Sequence, residues 1–304
     1  MKFPFVSRSL SVAAKALTPL VAIAFIFQLV LSPANATELA AANTKAVVVE
    51  DDPMWPDLKS ELYEDRKINE DAKWLEMVAP YRAHDAALVP ITIKAKLPNK
   101  AQHIKKLTLV IDNNPVPVAA NIELSEKLGP LHMETRLRIN QYSYVRAIVE
   151  TSAGELFMVS KYVKAAGGCS APAMKDIDAT IASIGKMKMR QFSSAKIEPE
   201  SKQSKINTRE VQFMVRHPNY SGMQLNQVTG YYIPAHFVSE IAVKLDGEPL
   251  MKIDGAISLS EDPMIRFRFQ SENEAPVLDF LVEDTKKQQF KNQWQLKPAE
   301  KAGS

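Results

Sequence analysis

From residue 88 onward, apolar and polar positions alternate with period two. The segments LVPITIKAKL, HIKKLTLVID, PVPVAANIEL, LHMETRLRIN, SYVRAIVET and ELFMVSKYVK are short and rich in β-branched residues. Turn chemistry separates them, as at Asn113-Asn114-Pro115 and Ala153-Gly154. Alternation of this kind turns one row of side chains to a core and the other to solvent. About six or seven such strands predict an antiparallel β-sandwich of immunoglobulin-like kind, here without the disulfide. A second series follows in TREVQFMVRH, GYYIPAHFVSEIAVKLDG, EPLMKIDGAISL, PMIRFRFQ and PVLDFLVEDTKKQQFKNQWQL. Asp246-Gly247 marks a hairpin within it. The expected fold class is all-β, with two such sandwiches.

Three stretches break the alternation. In WPDLKSELYEDR, Leu58, Leu62 and Tyr63 fall at helical spacing, and Trp55 and Trp74 are expected to cap the neighbouring core. In DIDATIASIGKM, Ile177, Ile181 and Ile184 share a helical face. SSAKIEPESKQSKIN, residues 193–207, is polar and reads as a linker or long loop.

The first residues have another logic. Lys2, Arg8 and Lys15 precede an apolar run from about Ala16 to Leu31, and Ala34-Asn35-Ala36 has the small-x-small form of a cleavage site. Residues 1–36 therefore read as a secretory signal, and 37–53 as a flexible lead-in. Removing three basic and no acidic residues from 38 Lys and Arg and 35 Asp and Glu leaves 35 of each, so the net charge of +3 is the leader's. Without a basic excess, nucleic acid is not an expected partner.

Export changes the meaning of the chain's one cysteine, Cys169 in KAAGGCSAPAMKD. An oxidising compartment pairs thiols, and this one has no internal partner, so it is incidental, an interchain link or a working group. Gly167 and Gly168 free the backbone and predict a hinge. Lys161 and Lys164, with a helix capped by Ser170 and opened by Pro172, are expected to lower the thiol pKa. His84, His103, His132, His217 and His236 show no metal-ligand spacing, and Met187 and Met189 read as packing and strand alternation before copper. No metal and no cofactor are expected, and no phosphate loop or nucleophile elbow is present.

Several of these segments carry a resemblance. WPDLKSELYEDR, APYRAHDAALVPITI, VIDNNPVPVAA, TRLRINQYSYVRAIVETSAGELF and GGCSAP resemble SoxY, a sulfur-oxidation carrier protein. VRHPNYSGM, YYIPAHFVSEIAVKLDGEPLM and ISLSEDPMIRFRF resemble its partner subunit SoxZ. Both in one polypeptide are similar to the quinoprotein dehydrogenase-associated SoxYZ-like carrier proteins. The resemblance implies a SoxY-like sandwich at 54–166, a cysteine arm, short helix and linker at 167–207, and a SoxZ-like sandwich at 208–298. It also implies that Cys169 covalently holds a sulfur-containing or acyl-type cargo for periplasmic enzymes, either Sox-type enzymes or a PQQ-dependent alcohol dehydrogenase with its cytochrome. The protein itself is then no enzyme. His217, His236 and Lys164 are implied neighbours of the arm or of the inter-domain surface. In SoxY the arm ends the chain; here Ser170-Ala171-Pro172 follow and 135 residues remain. A non-catalytic assembly module for the dehydrogenase is the alternative.

Overall fold

Alternating burial builds most of the molecule, a computed structural model that describes residues 53–172, 177–193 and 207–298. The proposed signal, nearly all of the lead-in, and residues 194–206 of the linker lie outside the described residues. The first half comprises α1 (Trp55–Tyr63), β1 (Ile68–Asn69), β2 (Leu75–Val78), β3 (Val89–Ala95), β4 (Ile104–Ile111), β5 (Val118–Leu124), β6 (Leu131–Leu137), β7 (Ser143–Thr151) and β8 (Leu156–Val163). Then come α2 (Ile177–Ile181), β9 (Met187–Phe192), β10 (Asn207–Val215), β11 (Val238–Leu245), β12 (Glu248–Gly255), β13 (Met264–Ser271), β14 (Val277–Asp284) and β15 (Gln289–Gln295).

The fold is the all-β sandwich that the alternation predicts, with a short helix near its start. One sheet has the order β1-β8-β7-β4-β5-β12-β11-β14-β15, the other β2-β3-β6-β13-β10-β9. The two halves are joined in both layers. β5 pairs with β12 from Leu124↔Met251 to Ala120↔Gly255, and β6 pairs with β13 at Thr135↔Ile265 to Met133↔Phe267. Side chains from both sheets and both halves fill one continuous core. Each half thus covers two edge strands of the other, and the four edges of β5, β6, β12 and β13, which would otherwise template aggregation, are paired.

Local chemistry explains the departures from simple alternation. On β7, Val145, Ala147 and Val149 face the main core, but Ile148 is also buried, because α1 lays Trp55 and Leu58 over the outer face of the sheet. Trp74 packs edge-to-face on Phe157 with centroids 4.8 Å apart, as its core-capping assignment predicts. Asp246 and Gly247 have φ of 50° and 88°, and Leu245 pairs with Glu248, which is a two-residue hairpin with both turn residues left-handed. Met187 and Met189 belong to β9, an edge strand paired with β10, so part of the 167–207 segment is built into the second half.

Candidate functional site

Cys169 lies where the two halves meet, and it is buried: its exposure is 0%. The structure departs here from the pliable arm that the glycines predict. Gly167 donates its N–H to Asn140 O (2.8 Å) and Gly168 to Ile139 O (3.0 Å), beyond the end of β6. Ile139 N–H in turn bonds Ala86 O. A Cβ on Gly168 would sit 2.1 Å from Ala86 O and 2.7 Å from Ile139 O, so this glycine is required for close backbone approach. Gly167 has φ +79° and allows the chain to turn. The turn is closed by Ser170, whose N–H and Oγ–H both donate to Gly167 O. Ser170 is therefore not the cap of a helix, since Ala171 and Pro172, which follow it, are not helical.

The second half grips the cysteine from the other side. Ser221 Oγ donates to Cys169 O, and Ser221 N–H bonds Gln224 Oε1 at 2.9 Å. Ser221 belongs to the segment HPNYSG, where Asn219 adopts φ 45°, a conformation asparagine tolerates. That geometry turns the carbonyls of Pro218 and Asn219 onto Arg138. The Arg138 guanidinium, from just beyond β6 and 2% exposed, donates to Asn219 O, Leu259 O (3.1 Å) and Pro218 O (3.3 Å). Asn114 fastens the same corner, donating to Arg138 O and Ser258 Oγ, both at 2.8 Å.

Arg138 is in no ion pair among the described residues, and its Nε has no hydrogen-bond partner. Burial lowers its pKa, while negative charge on Cys169 raises it. Burial pushes the Cys169 thiol up to about 11, and Arg138 pulls it the other way. Desolvation wins, so in this arrangement the sulfur is a protonated, weakly nucleophilic thiol. Lys164, an expected activator, places its ammonium 4.9 Å from the Tyr81 ring centroid. The charge that acts on the thiol is that of Arg138.

His217 and His236 do come together, but around Asp284. Their rings meet edge-to-face at 4.6 Å. His236 Nε2 lies 2.8 Å from Asp284 Oδ2 and His217 Nε2 lies 3.6 Å from it. The three possible ligand atoms fall within 4.8 Å of one another, a spacing that suits a metal. The tautomer argues otherwise. His217 Nδ1 accepts Asn219 N–H at 3.0 Å, so in the neutral ring Nε2 carries the proton and has no lone pair to offer. Burial first, then the charge of His236, push His217 down to about 4, which keeps it neutral. Burial works against the Asp284 carboxylate, but its bonds from His236 and from the amides of Gln288 and Lys286 outweigh that and hold it below the usual carboxylate range. The cluster anchors the loop that holds Arg138. The histidines reach the cysteine only through this loop.

A cleft of about 340 Å³ opens beside this corner, lined from the first half by Asp85, Arg136, Arg138, Ala171 and Pro172 among others and from the second by Met214, Gln224, Glu261 and Asp262, so that both signs of charge face it. A slightly larger opening, about 380 Å³, lies at the far end of β3 and β6, around Lys100, His103 and Lys127, and holds none of the residues at the cysteine. Arg136, Arg138, Ser221, Gln224 and Asp284 had no signal in one sequence, because nothing in their spacing shows that they converge.

The matches to known proteins fall on the same geometry. Residues 59–169 match the family described as sulfur oxidation protein SoxY, and residues 197–295 match that described as sulphur oxidation protein SoxZ. The first match ends on Cys169. No match was found among curated proteins. Among solved structures, a superoxide reductase (neelaredoxin) variant from Ignicoccus hospitalis is similar at 14% identity over 31% of this chain and 80% of its own, with a TM-score of 0.27. A putative superoxide reductase from Thermotoga maritima is similar at 15% identity over 33% and 92%, also at 0.27. Likenesses at this level carry no functional argument.

Proposed function

We propose, for a chain that is a fused SoxY-like and SoxZ-like sulfur-oxidation protein, that it works as a periplasmic carrier holding a sulfur-containing or acyl-type intermediate on Cys169. The two matches support a carrier role in sulfur oxidation. The covalent role of Cys169 rests on one observation: the SoxY match runs to the chain's single cysteine and stops there.

On this reading the buried thiol is the stowed state. The Gly167, Gly168 and Ser221 hydrogen bonds hold it. Each contributes roughly 1 kcal/mol net. Release of residues 167–172 is then a local opening of modest cost, of the kind drawn from the low-stability end of a fold. Once in water the thiol regains an ordinary pKa and becomes the attacking thiolate. The partners are Sox-type enzymes or a PQQ-dependent alcohol dehydrogenase with its cytochrome. Mass spectrometry of protein from the native periplasm tests this: reductant-labile adducts on Cys169 are expected, and a uniformly bare thiol overturns it.

The burial of Cys169 favours a second reading, an assembly module for the dehydrogenase system in which the sulfur is dispensable. Cys169→Ser separates the two, since a module keeps its ability to restore function in cells and a carrier loses it.

A further inference from the structure

We infer that the hairpin between β10 and β11 is a docking element for a folded protein partner, seated in an uncharged groove of that partner beside the stowed cysteine. The inference deepens the carrier reading, and that the partner is an enzyme acting on Cys169 rests on that reading; the docking contact is tested apart from it.

The hairpin carries its own shape. Gln224 O accepts Ile233 N–H at 2.8 Å, Leu225 pairs with Tyr232, and Asn226 N–H donates to Tyr231 O at 2.9 Å. At the tip, Asn226 O accepts Gly230 N–H, Asn226 Oδ1 accepts the N–H groups of Val228 and Thr229, and Gly230 takes φ +72°. A tip ordered in advance loses little entropy on binding. What it displays is apolar: Val228 is 94% exposed, Tyr231 79%, Tyr232 70% and Leu225 42%. Single exposed apolar residues are ordinary; four on one hairpin form a patch.

The chemistry of the segment selects the occupant. Between Arg216 and Glu240 there is no Asp, Glu, Lys or Arg, in a chain that is 24% charged. Tyrosine, amide, hydroxyl and glycine residues stand there instead, the makeup of protein-recognition loops, in which tyrosine supplies contact area and amides adapt their hydrogen bonds. A charge buried against this ridge would go unpaired, so the matching surface is uncharged too. Gln227 and Thr229, exposed between the apolar side chains, keep hydrogen-bond partners in a protein groove and lose them in hydrocarbon. A membrane surface draws in such loops through basic residues, and this one has none.

The position suits a partner that works at the cysteine. Ser221 and Gln224 stand at the foot of the hairpin, the first bonded to Cys169 O and the second on the cleft. The first half adds apolar surface at the same end. Leu88 lines the cleft, and half-exposed Tyr142 lies two residues past Asn140, whose carbonyl holds Gly167.

The test replaces Val228 of the full chain, in its native host, with the photo-crosslinking residue p-benzoylphenylalanine; the same replacement of Gln293 on β15 is the control. Irradiation is expected to join position 228, and not position 293, to a discrete protein identified by mass spectrometry. That protein, purified, is then titrated with the full chain. Val228→Asp and Tyr231→Asp change exposed side chains and should leave the melting temperature unmoved, yet each is expected to weaken binding about tenfold, as loss of an interface anchor does. Raising salt from about 50 to about 500 mM should change the dissociation constant less than about twofold, since the hairpin bears no charge. Cys169→Ser should bind as the unmutated chain does. The proposal is overturned by no crosslink at position 228, or by one to lipid or to a second copy of this chain. It is equally overturned by a captured protein that both aspartate variants bind normally, by a steep salt dependence, or by lost binding in Cys169→Ser, which would place the contact at the sulfur. The carrier reading fails separately, on a bare Cys169 in native material or a Cys169→Ser variant that still restores function in cells.

Discussion

Arg146 and Arg138 are both nearly inaccessible, at 1% and 2% exposure, yet their charges are met in opposite ways. Arg146, on β7, grips Asp112 with Nε 2.8 Å from Oδ2 and Nη2 2.7 Å from the same oxygen. Its guanidinium carbon also stands 4.2 Å from the Trp55 ring centroid and 5.0 Å from that of Tyr144. Charge, fork and flat faces are all matched, and the whole is dry. Arg138 has backbone carbonyls, a neutral thiol and, with no ion pair of its own among the described residues, the charge of Glu261. A compensated charge fixes a structure. One met mainly by backbone carbonyls keeps a site sensitive to what enters it. The first pins α1 to the sheet, and the second sits where the halves and the cysteine converge.

The largest expected effect comes from unbalancing the balanced site. Asp112→Asn leaves Arg146 buried without its counter-charge and should cost about 3–5 kcal/mol of unfolding free energy. Thermal melting or urea unfolding reads this directly. A loss below about 1 kcal/mol, as for exposed pairs, would show that the site is not as dry as the burial implies.

Acid should next weaken the unbalanced corner. His217 stays neutral in the folded chain down to about pH 4, whereas in the unfolded chain it takes its proton near the ordinary pKa of 6.5. The unfolded state therefore binds more protons between these values, and stability falls as pH drops from about 6.5 toward 4. Asp284, held below its usual range, adds a loss of the same sign at lower pH. The His217 contribution is on the order of 3 kcal/mol. His217→Gln, which cannot titrate, should flatten the profile over this window. If the profile keeps its slope, some other group is responsible. Since His217 anchors the loop whose carbonyls hold Arg138, thiol labelling should quicken in the same pH range relative to unfolded protein, while the contacts of Arg146 with Asp112 and Trp55 persist.

Gly168→Ala asks whether the glycines serve motion or fit. A hinge glycine made alanine would stiffen the arm and slow its excursions. Here the added methyl meets Ala86 O and Ile139 O and must push the turn outward. Local destabilisation of about 2 kcal/mol and thiol labelling faster by about thirtyfold are expected. Slower labelling would restore the hinge interpretation.

These contrasts also mark what one sequence can carry. Alternation located the strands because each buried row meets a single sheet opposite, and the Asp246-Gly247 turn followed from backbone sterics. Burial of Ile148 under α1 did not follow, since a second covered face erases the polar phase. Gly-Gly before a cysteine is equally the mark of a hinge and of a crowded backbone; only the positions of Ala86 and Ile139 decide. The resemblance singled out His217 and His236, but nothing in the sequence pointed to their partner Asp284, 48 residues beyond His236. Arg138 was hidden for a similar reason. Its bonding to backbone carbonyls, with no ion pair among the described residues, is a property of the whole packed corner, and no spacing announces it.

The smallest effect isolates one contact across the joint. Ser221 Oγ donates to Cys169 O and is a direct side-chain link from the second half to the cysteine backbone. Ser221→Ala keeps the volume nearly unchanged and removes this bond, leaving the Cys169 carbonyl without it. The expected loss is about 1 kcal/mol, which in a pre-equilibrium opening quickens Cys169 labelling about fivefold. Global stability should fall by no more than that, since Arg138 and the β5–β12 and β6–β13 pairings still join the halves. An unchanged labelling rate, measured beside an unchanged melting temperature, would mean that the cysteine is held only by its own half. The second half would then shape the cleft without controlling access to the sulfur.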